Sequence, residues 1–136
     1  MKQVMKPLLY AVVVLGMSVS CKTNDRTTMI FGTVKDNLGK PIVGVDVELY
    51  GVKGAFAARL TLLKTTQTDI EGEYSITAEI SKDYHTGDII FRPNEKLLEK
   101  YTTSPSRLYF NGNETKDCCR VTIGQKNQYD LVLFRK

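Results

Sequence analysis

Among 136 residues there is a single imidazole, His85. It sits in Lys82-Asp83-Tyr84-His85-Thr86-Gly87, a polar stretch where a lone histidine is expected to be solvated surface. One histidine rules out multi-histidine metal centres and makes any acid–base scheme depend on His85. No G-x-S-x-G sequence supplies a nucleophile elbow. Two cysteines are adjacent in Lys116-Asp117-Cys118-Cys119-Arg120-Val121-Thr122-Ile123. Neighbours on a strand point to opposite faces, so Cys119 is expected inside with Val121 and Ile123, and Cys118 outside with Arg120 and Thr122. Two unpaired thiols are the expected state; a vicinal disulfide and an intermolecular bond through Cys118 are the bridged alternatives. Asp69, Glu71 and Glu73 surround Gly72 but lack the longer loop and distal bidentate glutamate of a calcium hand, so a solvated turn is expected there. Tyr50, Tyr101 and Tyr109 are the outward aromatic candidates for stacking on a sugar, and tryptophan is absent. No catalytic, cofactor-binding or metal-ligating set is assembled from these residues.

The elements that must carry them read as strands. Val43, Val45, Val47 and Leu49 alternate with Gly44, Asp46, Glu48 and Tyr50, the period of a half-buried strand. Tyr74, Ile76, Ala78 and Ile80 repeat the pattern, as do Tyr129, Leu131 and Leu133 near the C-terminus. Met29–Lys35 places Ile30 and Val34 on one face. Leu60–Thr68 and Gly87–Arg92 are further candidates, the latter stopped by Pro93. Asn94–Tyr101 has helical spacing at Leu97, Leu98 and Tyr101 and is expected to form a short helix or a turn. Asp36–Pro41 and Asp69–Gly72 carry turn chemistry. About seven short strands at roughly ten-residue spacing predict an all-β, antiparallel sandwich. Beyond Ser81 the β signal is generic.

Residues 1–20 read as a targeting segment. Lys2 and Lys6 precede a nearly continuous apolar run from Leu8 to Val19, too short for the roughly 20 residues of a spanning helix. Ser18-Val19-Ser20 then leads into Cys21. This resembles a bacterial lipoprotein signal, in which a small residue precedes the cysteine that is acylated; Ser18 stands where leucine is usual. The alternative is an ordinary secretory signal cleaved near Ser20, with Cys21 left as a thiol. Removing residues 1–20 takes away two lysines and no acid, so the net charge of +4 falls by two to +2. With no Lys/Arg cluster, nucleic acid is not an expected partner. Residues 21–28 contain nothing apolar after Cys21 and are expected to form a flexible tether. About 116 residues remain, enough for one core without staples, and the folded domain is placed at 29–136.

Phe31-Gly32-Thr33-Val34-Lys35-Asp36, then Gly39-Lys40-Pro41-Ile42-Val43-Gly44-Val45-Asp46-Val47, then Thr68-Asp69-Ile70-Glu71-Gly72-Glu73-Tyr74-Ser75-Ile76 resemble the carboxypeptidase regulatory-like family in order. The match covers Ile30 to Ile80. Gly39 and Gly72 fall where tight turns need positive φ, and Pro41 falls at a strand entry. The resemblance implies a transthyretin-like β-sandwich that accompanies peptidases, outer-membrane receptors or adhesins and has no active site or cofactor of its own. Enzymes on related sandwiches need more than this chain offers: hydroxyisourate hydrolases use several histidines and a Tyr-Arg-Gly-Ser end, whereas this chain ends Leu133-Phe134-Arg135-Lys136, and intradiol dioxygenases need two histidines for iron. The expectation is a non-enzymatic accessory module of the bacterial envelope. It would be held to the outer membrane by lipid on Cys21 and would bind an envelope protein or surface ligand. The alternatives are a carbohydrate-binding or adhesion module, and a small hydrolase or metal-dependent enzyme on the same scaffold.

Overall fold

A computed structural model describes residues 25–136. The targeting segment 1–20 and Cys21 lie outside the described residues. The order of elements is β1 (Thr27–Asp36), β2 (Asp46–Lys53), β3 (Arg59–Gln67), β4 (Glu73–Glu79), β5 (Thr86–Arg92), α1 (Glu95–Lys100), β6 (Tyr101–Phe110), β7 (Asn113–Thr115), β8 (Arg120–Val121) and β9 (Lys126–Arg135). They form a five-stranded sheet, β4-β1-β9-β6-β7, and a four-stranded sheet, β3-β2-β5-β8. The mostly β structure with two open sheets is consistent with a β-sandwich and is not a barrel.

Burial follows the alternation seen in the sequence. Ile30 and Val34 of β1, Val47 and Leu49 of β2, Ile76 of β4 and Leu133 of β9 are buried in one cluster fed by both sheets. Val45 joins them from the loop ahead of β2. Tyr74 is also inside, and its hydroxyl donates to the Tyr129 carbonyl oxygen at 2.6 Å. Burial holds that phenol far above its ordinary pKa, so it stays a neutral donor satisfied within the core.

Four expectations need correction. The sandwich is not wholly antiparallel: β9 runs parallel to β1, with Met29 opposite Lys126 and Asp36 opposite Leu133. The strands number nine among the described residues, not about seven, because β6, β7 and β8 carry little apolar pattern; in β6 only Leu108 is buried. Thr27 and Thr28, assigned to the tether, are strand residues. Thr28 is buried, its hydroxyl donating to the Arg26 carbonyl and accepting the Gly124 N–H. Val43 does not extend β2, since the chain turns at Gly44 with φ of +82° and Val43 is left 56% exposed.

The turn readings agree with the structure. Gly39 and Gly72 have φ of +82° and +73°. The Asn94–Tyr101 stretch contains the short helix α1, capped by the Asn94 side chain accepting the Leu97 N–H at 2.9 Å. No helix among the described residues is long and apolar enough to cross a membrane.

Candidate functional site

The strand directions give the molecule two ends. β1 and β9 run one way, and β2, β5 and the ends of their partners place the 37–45 loop, the 68–72 turn and the C-terminus together at what we term the distal end. The β2–β3 connection, the 80–85 loop and Asp25 lie at the opposite, proximal end.

At the distal end the backbone is pinned by buried polar side chains. The Asp36 carboxylate is fully buried; Oδ1 accepts the N–H groups of Leu38 and Lys40 at 2.8 and 2.9 Å, and Oδ2 accepts Arg135 Nε at 2.8 Å. Burial opposes ionisation, yet the Lys40 N–H, the Arg135 guanidinium and the Leu38 N–H outweigh it and hold the carboxyl below its ordinary pKa. Thr68 plays the same part in the neighbouring turn: its hydroxyl donates to the Ile42 carbonyl at 2.7 Å and accepts the Val45 N–H at 3.0 Å, tying the two loops together. Asp69 Oδ1 accepts the N–H groups of Glu71 and Glu73, each at 2.9 Å, as its turn chemistry predicted.

What this scaffold displays is apolar. Ile70 is 83% exposed, Leu38 67% and Val43 56%, all on the two tied loops. Near Ile70 a groove of about 530 Å³ is lined by β1, β4 and β9 of the five-stranded sheet, with Phe31, Thr33, Glu73 and Asp130, by Asp69 of the turn, and by Thr66 and Gln67 of β3 in the other sheet. Asp130 is fixed there, Oδ1 accepting from the Thr33 N–H and hydroxyl and Oδ2 from Gln128 Nε2. Three exposed aliphatic side chains thus stand near an acidic groove, on loops whose backbones are hydrogen-bonded to buried side chains. Sequence reasoning missed this arrangement because Val43 reads as the first inward residue of a strand and Ile70 as turn filler. The signal available was three large aliphatic residues inside segments otherwise made of turn formers.

The candidates raised from the sequence are not brought together. His85 is exposed in the proximal loop, its backbone N–H donating to the Val52 carbonyl at 3.2 Å, at the far end from Asp130 and the distal groove. Tyr50 lies on the four-stranded sheet, its hydroxyl bonded to Glu48, while Tyr101 and Tyr109 lie at the two ends of β6 in the other sheet. They make no row. The sulfur atoms of Cys118 and Cys119 are bonded to one another, in place of the two free thiols expected, although the inward and outward assignment holds: Cys119 is buried and Cys118 exposed. Glu48 accepts from Arg92 Nε at 2.9 Å, and the Tyr50 hydroxyl and that guanidinium lower its pKa; this is a surface pair of small energetic weight.

No protein-family model matches the chain, and no curated protein is significantly similar to it.

Proposed function

We propose that this protein is a non-enzymatic envelope module, lipid-anchored at Cys21, that binds a protein partner through its distal loops. The observation that carries the reading is the exposure of Leu38, Val43 and Ile70 on two loops whose backbones are fixed by buried Asp36 and Thr68. Exposed aliphatic side chains on a rigid frame desolvate a partner at small entropic cost. The resemblance of Ile30–Ile80 to carboxypeptidase regulatory-like domains, with a transthyretin-like sandwich, supports an accessory role, as does the lipoprotein-like signal. The partner that fits presents an apolar contact with basic residues at its rim, to meet Asp69, Glu73 and Asp130.

The test is complementation of a deletion strain with three variants. Ile70→Asp and Leu38→Asp should each lose the wild-type phenotype while melting within a few degrees of the parent, since both side chains are solvent-exposed and surface changes cost about 0.5 kcal/mol or less. His85→Ala should complement fully. A folded His85→Ala protein that fails to complement, beside active Ile70→Asp and Leu38→Asp proteins, would replace the binding reading with the hydrolase one. Anchoring is tested separately: Cys21→Ala should abolish acylation and the associated change in gel mobility.

A further inference from the structure

The β2–β3 hairpin ends in Lys53-Gly54-Ala55-Phe56-Ala57-Ala58-Arg59. Lys53 and Arg59 form the last rung of the ladder, and the five residues beyond it are all small or aromatic. Phe56 at the tip is fully exposed, and Leu60 and Leu62, one and three residues into β3, are half exposed on the same ribbon. From residue 53 to residue 68 there is no Asp or Glu, against Lys53, Arg59 and Lys64. Lys64 is engaged within the fold, donating to the Thr77 carbonyl at 2.8 Å. Lys53 and Arg59 therefore flank the tip as its cations, and Lys82 and Asp83 on the adjoining loop cancel in charge. An exposed phenylalanine with two exposed leucines behind it and a basic residue on each side has the make-up of an interfacial segment, an apolar body rimmed by cations.

The tip also points where the chain enters the fold. The Arg26 guanidinium donates to the carbonyls of Ile80 and Tyr84 at 2.7 and 2.6 Å. The Tyr84 ring lies against Gly51, where a Cβ would stand 2.6 Å from a ring carbon, and Lys53 Nζ sits 5.0 Å from the centre of that ring. The Val52 carbonyl accepts the His85 N–H. One loop thus joins the first described residues to the base of the hairpin. Cys21 precedes Asp25 by four residues, a reach of at most about 14 Å.

We infer that the β2–β3 hairpin is a second membrane contact, with Phe56 inserting into the headgroup–acyl boundary of an anionic bilayer and Lys53 and Arg59 meeting its phosphates. The inference rests on the anchored reading only for the direction in which this end faces. Only Gly54 to Ala58 lie beyond the 53/59 rung, so a tip seated at the headgroup–acyl boundary leaves Lys53 and Arg59 level with the phosphates, the shallow depth at which interfacial segments sit. Contact here would hold the module upright and send the distal loops away from the bilayer.

Because the chain has no tryptophan, Phe56→Trp installs a single indole at the tip of the full-length protein. Vesicles of phosphatidylethanolamine and phosphatidylglycerol should move its emission to shorter wavelength, and acyl chains brominated near the headgroup should quench it. Adding Lys53→Gln and Arg59→Gln should weaken that response more than tenfold, since each basic residue near an anionic surface contributes about fivefold. An indole that stays solvent-exposed on these vesicles overturns the inference. So does an equal response on phosphatidylcholine alone, or a shift without vesicles that grows with protein concentration, which would mark self-association. The indole reports the hairpin and gel mobility reports acylation at Cys21, so the failure of one reading is distinguishable from the failure of the other.

Discussion

Asp36 is the side chain on which the distal end turns. Its carboxylate is out of water and satisfies two loop N–H groups and the guanidinium of Arg135, so it joins the first turn to the last strand. Asp36→Ala leaves those donors without their acceptor and should cost about 2–3 kcal/mol, read as a fall in the denaturation midpoint with unchanged m-value. The pH dependence has a definite sign. The folded-state pKa lies below the ordinary value, so the stabilising contribution is present above about pH 4 and is lost as the pH falls through the folded pKa. The wild type should lose stability in acid more steeply than the alanine variant, and the two curves should converge at low pH. A constant gap between them would show that the charge of Asp36 is immaterial.

At the scale of elements, β2 is the inner wall of the smaller sheet, paired with β3 on one side and β5 on the other. Val47→Ala should cost about 1–3 kcal/mol through lost burial and a residual cavity. Val47→Asp should not fold, because its carboxylate would be buried unpaired; a folded, soluble Val47→Asp protein would mean the strand's faces are reversed. β2 was legible because Val45, Val47 and Leu49 alternate with polar residues and one face has water beside it. β1, β4 and β9 were legible on the same grounds. β6 was not: it is next to the edge of its sheet, covered on its outer side only by the short β7 at Leu108–Phe110, and from Thr103 to Arg107 it shows only exposed residues, so there is no apolar period to detect. The parallel pairing of β1 with β9 was also hidden, because register between strands about a hundred residues apart leaves no local mark on either. Of the candidate site, the turn residues Asp36, Asp69, Gly39 and Gly72 could be read directly. The apolar display could not, since exposure of Leu38, Val43 and Ile70 is set by how two loops are tied together by Thr68.

For the whole molecule, the strand directions set two ends of different chemistry apart: the hairpin of Lys53, Phe56 and Arg59 beside the chain entry, and the exposed Leu38, Val43 and Ile70 with an acidic groove opposite. Between them, the five-stranded sheet holds the chain's first strand against its last, and β9 also carries β6 on its other side. A chain stopped before Lys126 should therefore lack a cooperative thermal transition, because β1 and β6 have no common neighbour without β9; a native-like melt for such a fragment would contradict the sheet order. The position of β9 also sets a clock. Synthesis delivers β1 early and β9 last of the described strands, so the smaller sheet has all its strands by Val121 while the larger one stays split into a β4-β1 pair and a β6-β7 pair until β9 arrives to bridge them.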